Sequence, residues 1–287
     1  MKNSPIIIIG AGRSGTNILR DSICTFEGFE TWPCDEINYI WRHGNIKHNN
    51  DRFKADEATP KVKNHIQKQF EAFEKTSNAK YIVEKTCANS LKVPFINAIF
   101  PNAKYIFLVR DGRDVASSAK QRWTAPLNLK YIWKKVKYVP VSDIPYYGSR
   151  YLMNRVKKLF SQEKRLAFWG PLYPEMKRDL KKYSLIEVCG KQWSECVQTA
   201  YEDLKIIDPS RLHTMSYETF VKNPESEMRK VANFLNVEAS ESMIKKSVRK
   251  VSPKSIHNYK KHLSEKELEE LEPTVNPVME KIYNQID

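Results

Sequence analysis

Residues 5–17 read Pro5-Ile6-Ile7-Ile8-Ile9-Gly10-Ala11-Gly12-Arg13-Ser14-Gly15-Thr16-Asn17. Four consecutive β-branched residues between Pro and Gly predict a strand buried on both faces. The glycines end it in a turn, and a helix is expected from about Thr16, with Ile18, Leu19 and Ile23 on one face. A strand that passes through glycines into a helix suits an anion. The backbone can approach the anion closely, and helix-start amides meet it with the positive end of the dipole. Three readings of the loop compete. As GxGxxG it matches a dinucleotide fingerprint, with Glu30 or Asp35 as the later acid, yet residues 26–33 make a poor second strand. As GxxxxG it opens an NTPase P-loop, but Thr16 stands where the Lys belongs and Asn17 where the magnesium-binding Ser/Thr belongs. The third is a metal-free phosphate cradle that uses Arg13 and hydroxyls. The bland alternative is a glycine turn with no ligand.

Outward from this loop the pattern repeats. Residues 80–84 and 104–109 read as strands, and residues 61–76, 91–100 and 113–122 as helices. Further on come a helix over 191–204, a strand over 211–216, and a helix opened by Asn223-Pro224. Ser264-Glu-Lys-Glu267 is a capping box that starts the C-terminal helix. Strands alternating with helices at this spacing predict an α/β fold, a central parallel sheet flanked by helices. The third strand runs into Arg110-Asp-Gly-Arg113-Asp114-Val-Ala-Ser117-Ser118. Arg110 then sits at a strand's C-terminal end, where open α/β sheets place ligands. Ser118 lies on the first turns of the next helix, close enough to share one anionic group with it. The alternative is a surface Arg paired with Asp111 or Asp114. Two anion sites on neighbouring strand ends imply a ligand with two separated phosphate groups.

Composition sets the limits. In 287 residues, 41% hydrophobic and 11% aromatic, there is enough for a real core, which excludes wholesale disorder. Five cysteines at 24, 34, 87, 189 and 196 form no CxxC pair, and six histidines form no HExxH. Neither a disulfide framework nor a metal site is expected, and thiols of this kind suit a reducing compartment. The longest apolar run near the N-terminus is Ile6–Ile9, far too short for a signal peptide or a membrane span, so a cytoplasmic location is expected. The formal charge is +14, and residues 124–192 carry +10 of it, 15 Lys/Arg against 5 Asp/Glu, with 11 of the 32 aromatics. Lys and Arg among aromatics such as Tyr131, Trp133, Tyr146, Tyr147, Trp169 and Tyr173 invite a nucleic-acid reading. No RNA or DNA module accompanies them, so nucleic acid is not the expected partner. An acidic acceptor or a membrane surface fits the stretch at least as well. The whole reads as one domain over 1–287 with a basic, aromatic insertion at about 124–192.

The loop at Gly12-Arg13-Ser14-Gly15-Thr16-Asn17 together with Arg110-(seven residues)-Ser118 resembles the signature of sulfotransferases that use 3′-phosphoadenosine 5′-phosphosulfate (PAPS). Residues 100–115, Ser216-Tyr217 through Pro224, and Val251–Lys260 resemble that family too, with the tyrosylprotein and bacterial members nearest in feel. The resemblance implies a P-loop-like sulfotransferase fold. It assigns the first loop to the 5′-phosphosulfate, Arg110 and Ser118 to the 3′-phosphate, and Tyr217 to a place near the adenine. The segment holding Lys250 and Lys254 would cover the cofactor, whose desulfated product is adenosine 3′,5′-bisphosphate (PAP). The acceptor would carry a hydroxyl: a protein tyrosine, a glycan, a lipid or a small metabolite. Sulfuryl transfer needs positioning, charge stabilisation and one base, and no metal. Arg13 and the donors near Thr16 would stabilise the departing phosphate oxygen. For the base, the resemblance favours Glu36, with Asp35 second. His43 is an independent candidate, since an imidazole suits a base near neutral pH. Glu84-Lys85-Thr86 resembles a run of the glycan-directed branch, in which Lys85 helps at the sulfuryl group and Glu84 holds Lys85 in place. Two rivals remain: a P-loop phosphotransferase, and a non-catalytic anion- or nucleic-acid-binding protein.

Overall fold

The computed structural model describes residues 1, 3–125, 138–149, 152 and 168–286. Most of the first half of the basic stretch, with Tyr131 and Trp133, lies outside the described residues.

Five parallel strands form one sheet in the order β2-β3-β1-β4-β5. They are β1 (Ile6–Ile9), β2 (Phe29–Glu30), β3 (Tyr81–Lys85), β4 (Lys104–Val109) and β5 (Leu212–Ser216). The weak pattern at 26–33 yields only the two-residue edge strand β2. The helices before the basic stretch are α1 (Thr16–Ile23), α2 (Asn38–Trp41), α3 (Pro60–Ser77), α4 (Val93–Ile99) and α5 (Gly112–Thr124). After it come α6 (Met176–Lys182), α7 (Leu185–Leu204), α8 (Tyr217–Lys222), α9 (Pro224–Phe234), α10 (Glu241–Ser247), α11 (Tyr259–His262) and α12 (Glu265–Tyr283).

Strand alternation divides the core. Ile7, Ile9, Tyr105, Phe107 and Val109 face one layer, built chiefly from α3, α4, α5, α7 and α12. Ile6, Ile8, Ile106 and Leu108 face the other, built from α1, α8, α9 and α10. Both faces are covered, which is why the central strands read as unbroken apolar runs. At about 1.5–3 kcal/mol for each fully buried large aliphatic side chain, these two strands anchor the fold.

Helix α7 starts six residues earlier than the pattern at 191–204 suggested. Ser184 and Glu187 form a capping box at its start. Its first turns carry Ile186 and Cys189, and with Tyr173 and Met176 they are buried in the main core. Residues 168–192 therefore pack as part of the domain.

Gly112, the first residue of α5, lies where α5, α7 and α12 meet. A Cβ there would fall 2.8 Å from a ring carbon of Trp193 and 2.9 Å from Val275 Cβ. Gly112→Ala is expected to destabilise the fold by about 1–3 kcal/mol, read from urea denaturation. A loss below about 0.5 kcal/mol would mean that these helices can part freely.

Candidate active site

The phosphate-type loop is shaped by close approaches. At Gly10 a Cβ would lie 2.7 Å from Thr16 Cγ2 and 2.8 Å from the Leu108 carbonyl oxygen, so the turn is pressed onto β4. Gly15 has φ 88°, and a Cβ there would meet the Tyr217 ring at 2.4 Å. Arg13 also takes a left-handed φ, 75°. Helix α1 begins at Thr16, after Gly15 at the capping position, with no side-chain cap and no acid in its first turn. Its start thus keeps the amide donors and positive dipole end that an anion needs. Ser14 is fully buried, and its Oγ has no hydrogen-bond partner. Thr16 is buried with Oγ1 at 4.0 Å from Cys87 Sγ, whereas Asn17 is exposed.

Arg110 joins this loop to distant parts of the chain. Its Nη1 donates to the Arg13 carbonyl at 3.1 Å and its Nη2 to the Ser255 carbonyl at 2.6 Å. The guanidinium lies 4.4 Å over the Tyr217 ring and 3.4 Å from Asp114, while its Nε is buried without a partner. Asp111 instead pairs with Arg113. Asp114 also accepts from the His257 and Tyr259 amides at 2.8 and 2.9 Å, and Tyr217 OH and Ser255 Oγ lie 2.6 Å apart. The 252–259 segment is thereby fastened over the end of β4. Lys250 and Lys254 are exposed on and beside it.

The two sequence motifs meet directly: Arg13 Nε donates to Ser118 Oγ at 2.9 Å. Burial, then the charges of Arg122 and Arg110, lower the pKa of Arg13. It remains a cation, because the guanidinium starts so far above neutrality. Arg122, one helical turn beyond Ser118, is a neighbour that the sequence motifs did not single out. The pairing of Arg110 with Asp114 is one the sequence reading allowed for, but on a buried arginine rather than a surface one. Ser255 falls inside a quoted run, yet only its contact with Arg110, distant in sequence, marks it.

The end of β3 holds a second cluster. Lys85 Nζ lies 3.3 Å from Glu36 Oε1, and the Cys87 amide donates to the same oxygen at 3.5 Å. Burial disfavours the charge on Lys85, but Glu36, with Cys87 and Asp35 added, outweighs it, and the Lys85 pKa is raised. Asp35 turns elsewhere and pairs with Arg20 at 3.6 Å. His43 Nδ1 is bonded to Asp143 at 2.9 Å, and its ring stacks on His65. Glu84 does not hold Lys85, contrary to the expectation. Adjacent strand residues point to opposite faces, and Glu84 accepts from Thr86 Oγ1 at 2.5 Å and Asn89 Nδ2 at 2.6 Å. Thr86 Oγ1 accepts in turn from the Ile37 amide, the residue after Glu36. Glu84 thus supports the loop that presents Glu36.

The sulfotransferase domain family matches residues 3–281. The chain belongs to the sulfotransferase family. It is an enzyme of sulfuryl transfer. Among solved structures it is similar to the sulfotransferase domain from the curacin biosynthetic pathway, 16% identical over 99% of both chains, TM-score 0.55. A sulfotransferase from Alicyclobacillus acidocaldarius is 12% identical over 99% of this chain and 96% of its own, TM-score 0.53. Mouse sulfotransferase SULT7A1, solved in complex with PAP, is 12% identical over 98% of this chain and 86% of its own, TM-score 0.52. At these identities the shared property is the fold. No curated protein matches the sequence. Among the described residues no helix is long and apolar enough to cross a membrane, and no group of His, Cys, Asp and Glu could hold a metal ion.

Burial pushes the Glu84 carboxyl up to about 7, against the bond from Thr86. Between its ordinary value of 4.5 and about 7 the folded chain keeps a proton that the unfolded chain has released. Stability therefore falls as pH rises through that window, by ~3 kcal/mol for a group shifted this far. Glu84→Gln should flatten the slope, since Asn89 Oδ1, which has no partner, can turn to meet the new amide. Urea denaturation from pH 4.5 to 7.5 measures it; an unchanged slope would rule out Glu84 as its source.

Proposed function

We propose that the protein transfers the sulfuryl group of PAPS to a hydroxyl of a second substrate, within one domain spanning residues 1–287. The observation that carries this reading is the pair of cations at the ends of neighbouring strands, Arg13 after β1 and Arg110 after β4. Each stands beside a buried polar atom without a partner, Ser14 Oγ and Arg110 Nε. An orphaned hydroxyl and an orphaned guanidinium nitrogen fit two anionic groups on one ligand. When bound, PAPS supplies an activated sulfuryl group on its 5′-phosphate and a separate 3′-phosphate.

Gly12, Ser14, Gly15, Thr16 and Asn17 would hold the 5′-phosphosulfate through backbone donors and the Ser14 hydroxyl. Arg110 and Ser118 would hold the 3′-phosphate, with Tyr217 as a wall and Lys250 and Lys254 as covering cations. Arg13 stabilises charge growing on the leaving phosphate oxygen. Glu36 takes the proton of the acceptor hydroxyl as that oxygen bonds to sulfur and the sulfur–phosphate oxygen bond breaks. Lys85 orients Glu36 and offers its charge to the sulfuryl oxygens. His43 is the alternative candidate: it bonds Asp143 and stacks on His65, apart from the Glu36–Lys85 pair. The five thiols are free, which supports a reducing compartment such as the cytoplasm.

Thermal shift with PAP, AMP and NADH at equal concentration tests the donor site. At a hundred times its dissociation constant, PAP should add about 2.7 kcal/mol, or roughly 5–10 °C in Tm. AMP and NADH should add far less, and absence of a PAP shift would end this reading. Arg110→Ala should weaken PAP by about 10–100-fold and AMP by much less, as expected for a lost charged hydrogen bond to phosphate.

For the catalytic cluster, Lys85→Ala should lower PAP release from PAPS at least about tenfold while PAP affinity stays within about twofold. Unchanged turnover in a folded variant would remove Lys85 from the chemistry.

A further inference from the structure

Beside the phosphate loop stands an aromatic side chain with no place in the scheme above. The Trp169 ring lies against Gly12: a Cβ built there would be 3.5 Å from Trp169 Cη2. Gly12 directly precedes Arg13, so the half-buried indole borders the site of transfer. The backbone that carries it is held on both sides. Gln192 Nε2, itself buried, donates to the Trp169 and Pro171 carbonyls at 2.8 Å each. Gly170 between them has φ 73°, and a Cβ there would meet Gln192 Nε2 at 2.8 Å. Next, Asp51 bonds both backbone groups of Leu172: its amide donates to the Leu172 carbonyl at 2.7 Å, and its Oδ2 accepts from the Leu172 amide at 2.8 Å.

Asp51 is the hub of a buried charge cluster. Its Oδ1 accepts from Arg42 Nη1 at 2.8 Å and Asn38 Nδ2 at 3.0 Å, with Lys92 Nζ at 3.6 Å. Asp51, Arg42 and Lys92 are all at most 4% exposed. Burying three charges is costly, and such clusters serve to fix geometry more than to stabilise. The geometry fixed here is specific. Asn38 lies two residues after Glu36, Lys92 follows the short turn that leaves Lys85, and Leu172 belongs to the Trp169 loop. One carboxylate thus ties together the three segments that bear Glu36, Lys85 and Trp169. Arg110, Tyr217 and Ser255, read above as the nucleotide's side, make their own set of contacts and take no part in this cluster.

We propose that Trp169 is the wall on which the acceptor lies, and that the acceptor hydroxyl belongs to a six-membered ring, aromatic or pyranose, that stacks on the indole. Asp51 and Gln192 act through Trp169 as positioning residues. The inference rests on the reading of Glu36 and Lys85 as the acceptor side. An indole face attracts both aromatic faces and apolar sugar faces, and a rigid backbone avoids the entropy of ordering it at each encounter.

The test is calorimetric titration of PAP-loaded protein with 2-naphthol, methyl β-glucoside and, as an open-chain alcohol, 1-hexanol. One of the two ring probes should bind at least about tenfold tighter than 1-hexanol, and which one does names the ring class. Trp169→Ala should weaken that probe about tenfold and Trp169→Phe less than about threefold, with PAP affinity unchanged. Asp51→Asn should weaken the ring probe as Trp169→Ala does and add little in the double variant, since both would act on one contact. If Asp51→Asn does not fold, Gln192→Ala, which frees the same backbone, takes its place. Ring probes that bind no tighter than 1-hexanol, or that ignore Trp169→Ala, overturn the proposal; so does a Trp169→Ala that weakens PAP equally. Loss of PAP binding by the wild type would instead overturn the donor site, a separate outcome.

Discussion

The guanidinium of Arg110 is where separate parts of the chain converge. It ends β4, donates to the phosphate loop at Arg13, donates to the C-terminal segment at Ser255 and rests on Tyr217 of α8. Its carbonyl accepts from Trp193 Nε1 of α7 at 3.1 Å. A charge buried to this degree needs an opposing one, and Asp114, one helical turn later, supplies it. Asp114 also pins two amides of the 252–259 segment, so the pair that neutralises the charge fastens that segment as well. The Arg110 Nε is buried without a partner.

Much of this was legible in the sequence because it obeys local rules. The apolar runs of β1 and β4, the glycine turn and the Ser264–Glu267 box each follow from a short stretch, and each lies where the pattern put it. The approach of Arg13 to Ser118 was legible only as two motifs sharing one kind of ligand. Other features were hidden for stated reasons. The Ser184–Glu187 box was as readable as the later one, but it sat inside a stretch whose charge suggested an appendage. Glu84 cannot hold Lys85 because the two-residue strand period sends the two side chains to opposite faces. Asp51 carried no motif at all. Its partners lie between 9 and 121 residues away, and only tertiary structure brings them together.

The basic stretch also looks different once its described part is placed. Tyr173 is buried and bonded to Asp179, and Tyr147 meets Tyr39 edge-on at 4.7 Å. These aromatics pack against the domain. Trp169 differs, since its backbone is immobilised while its ring stays half-exposed next to the phosphate loop. A core residue needs burial more than it needs an anchored carbonyl. A residue that must meet a second substrate needs the reverse.

The net charge of +14 therefore divides into unlike portions. Arg13 and Arg110 are tied into the glycine loop and its surroundings, and Lys85 sits in a pair with Glu36. Arg42 and Lys92 are buried around Asp51, and burial drives Lys92 down to about 8 despite the carboxylate. A lysine buried in this way makes a poor electrostatic lure. Its value lies in the bond its Nζ donates to Asn38 Oδ1 at 2.8 Å. Cations of this kind act at contact distance and contribute little to a long-range field. Net charge alone thus says little about a polyanionic partner, because several of the cations counted in it are already committed inside the fold.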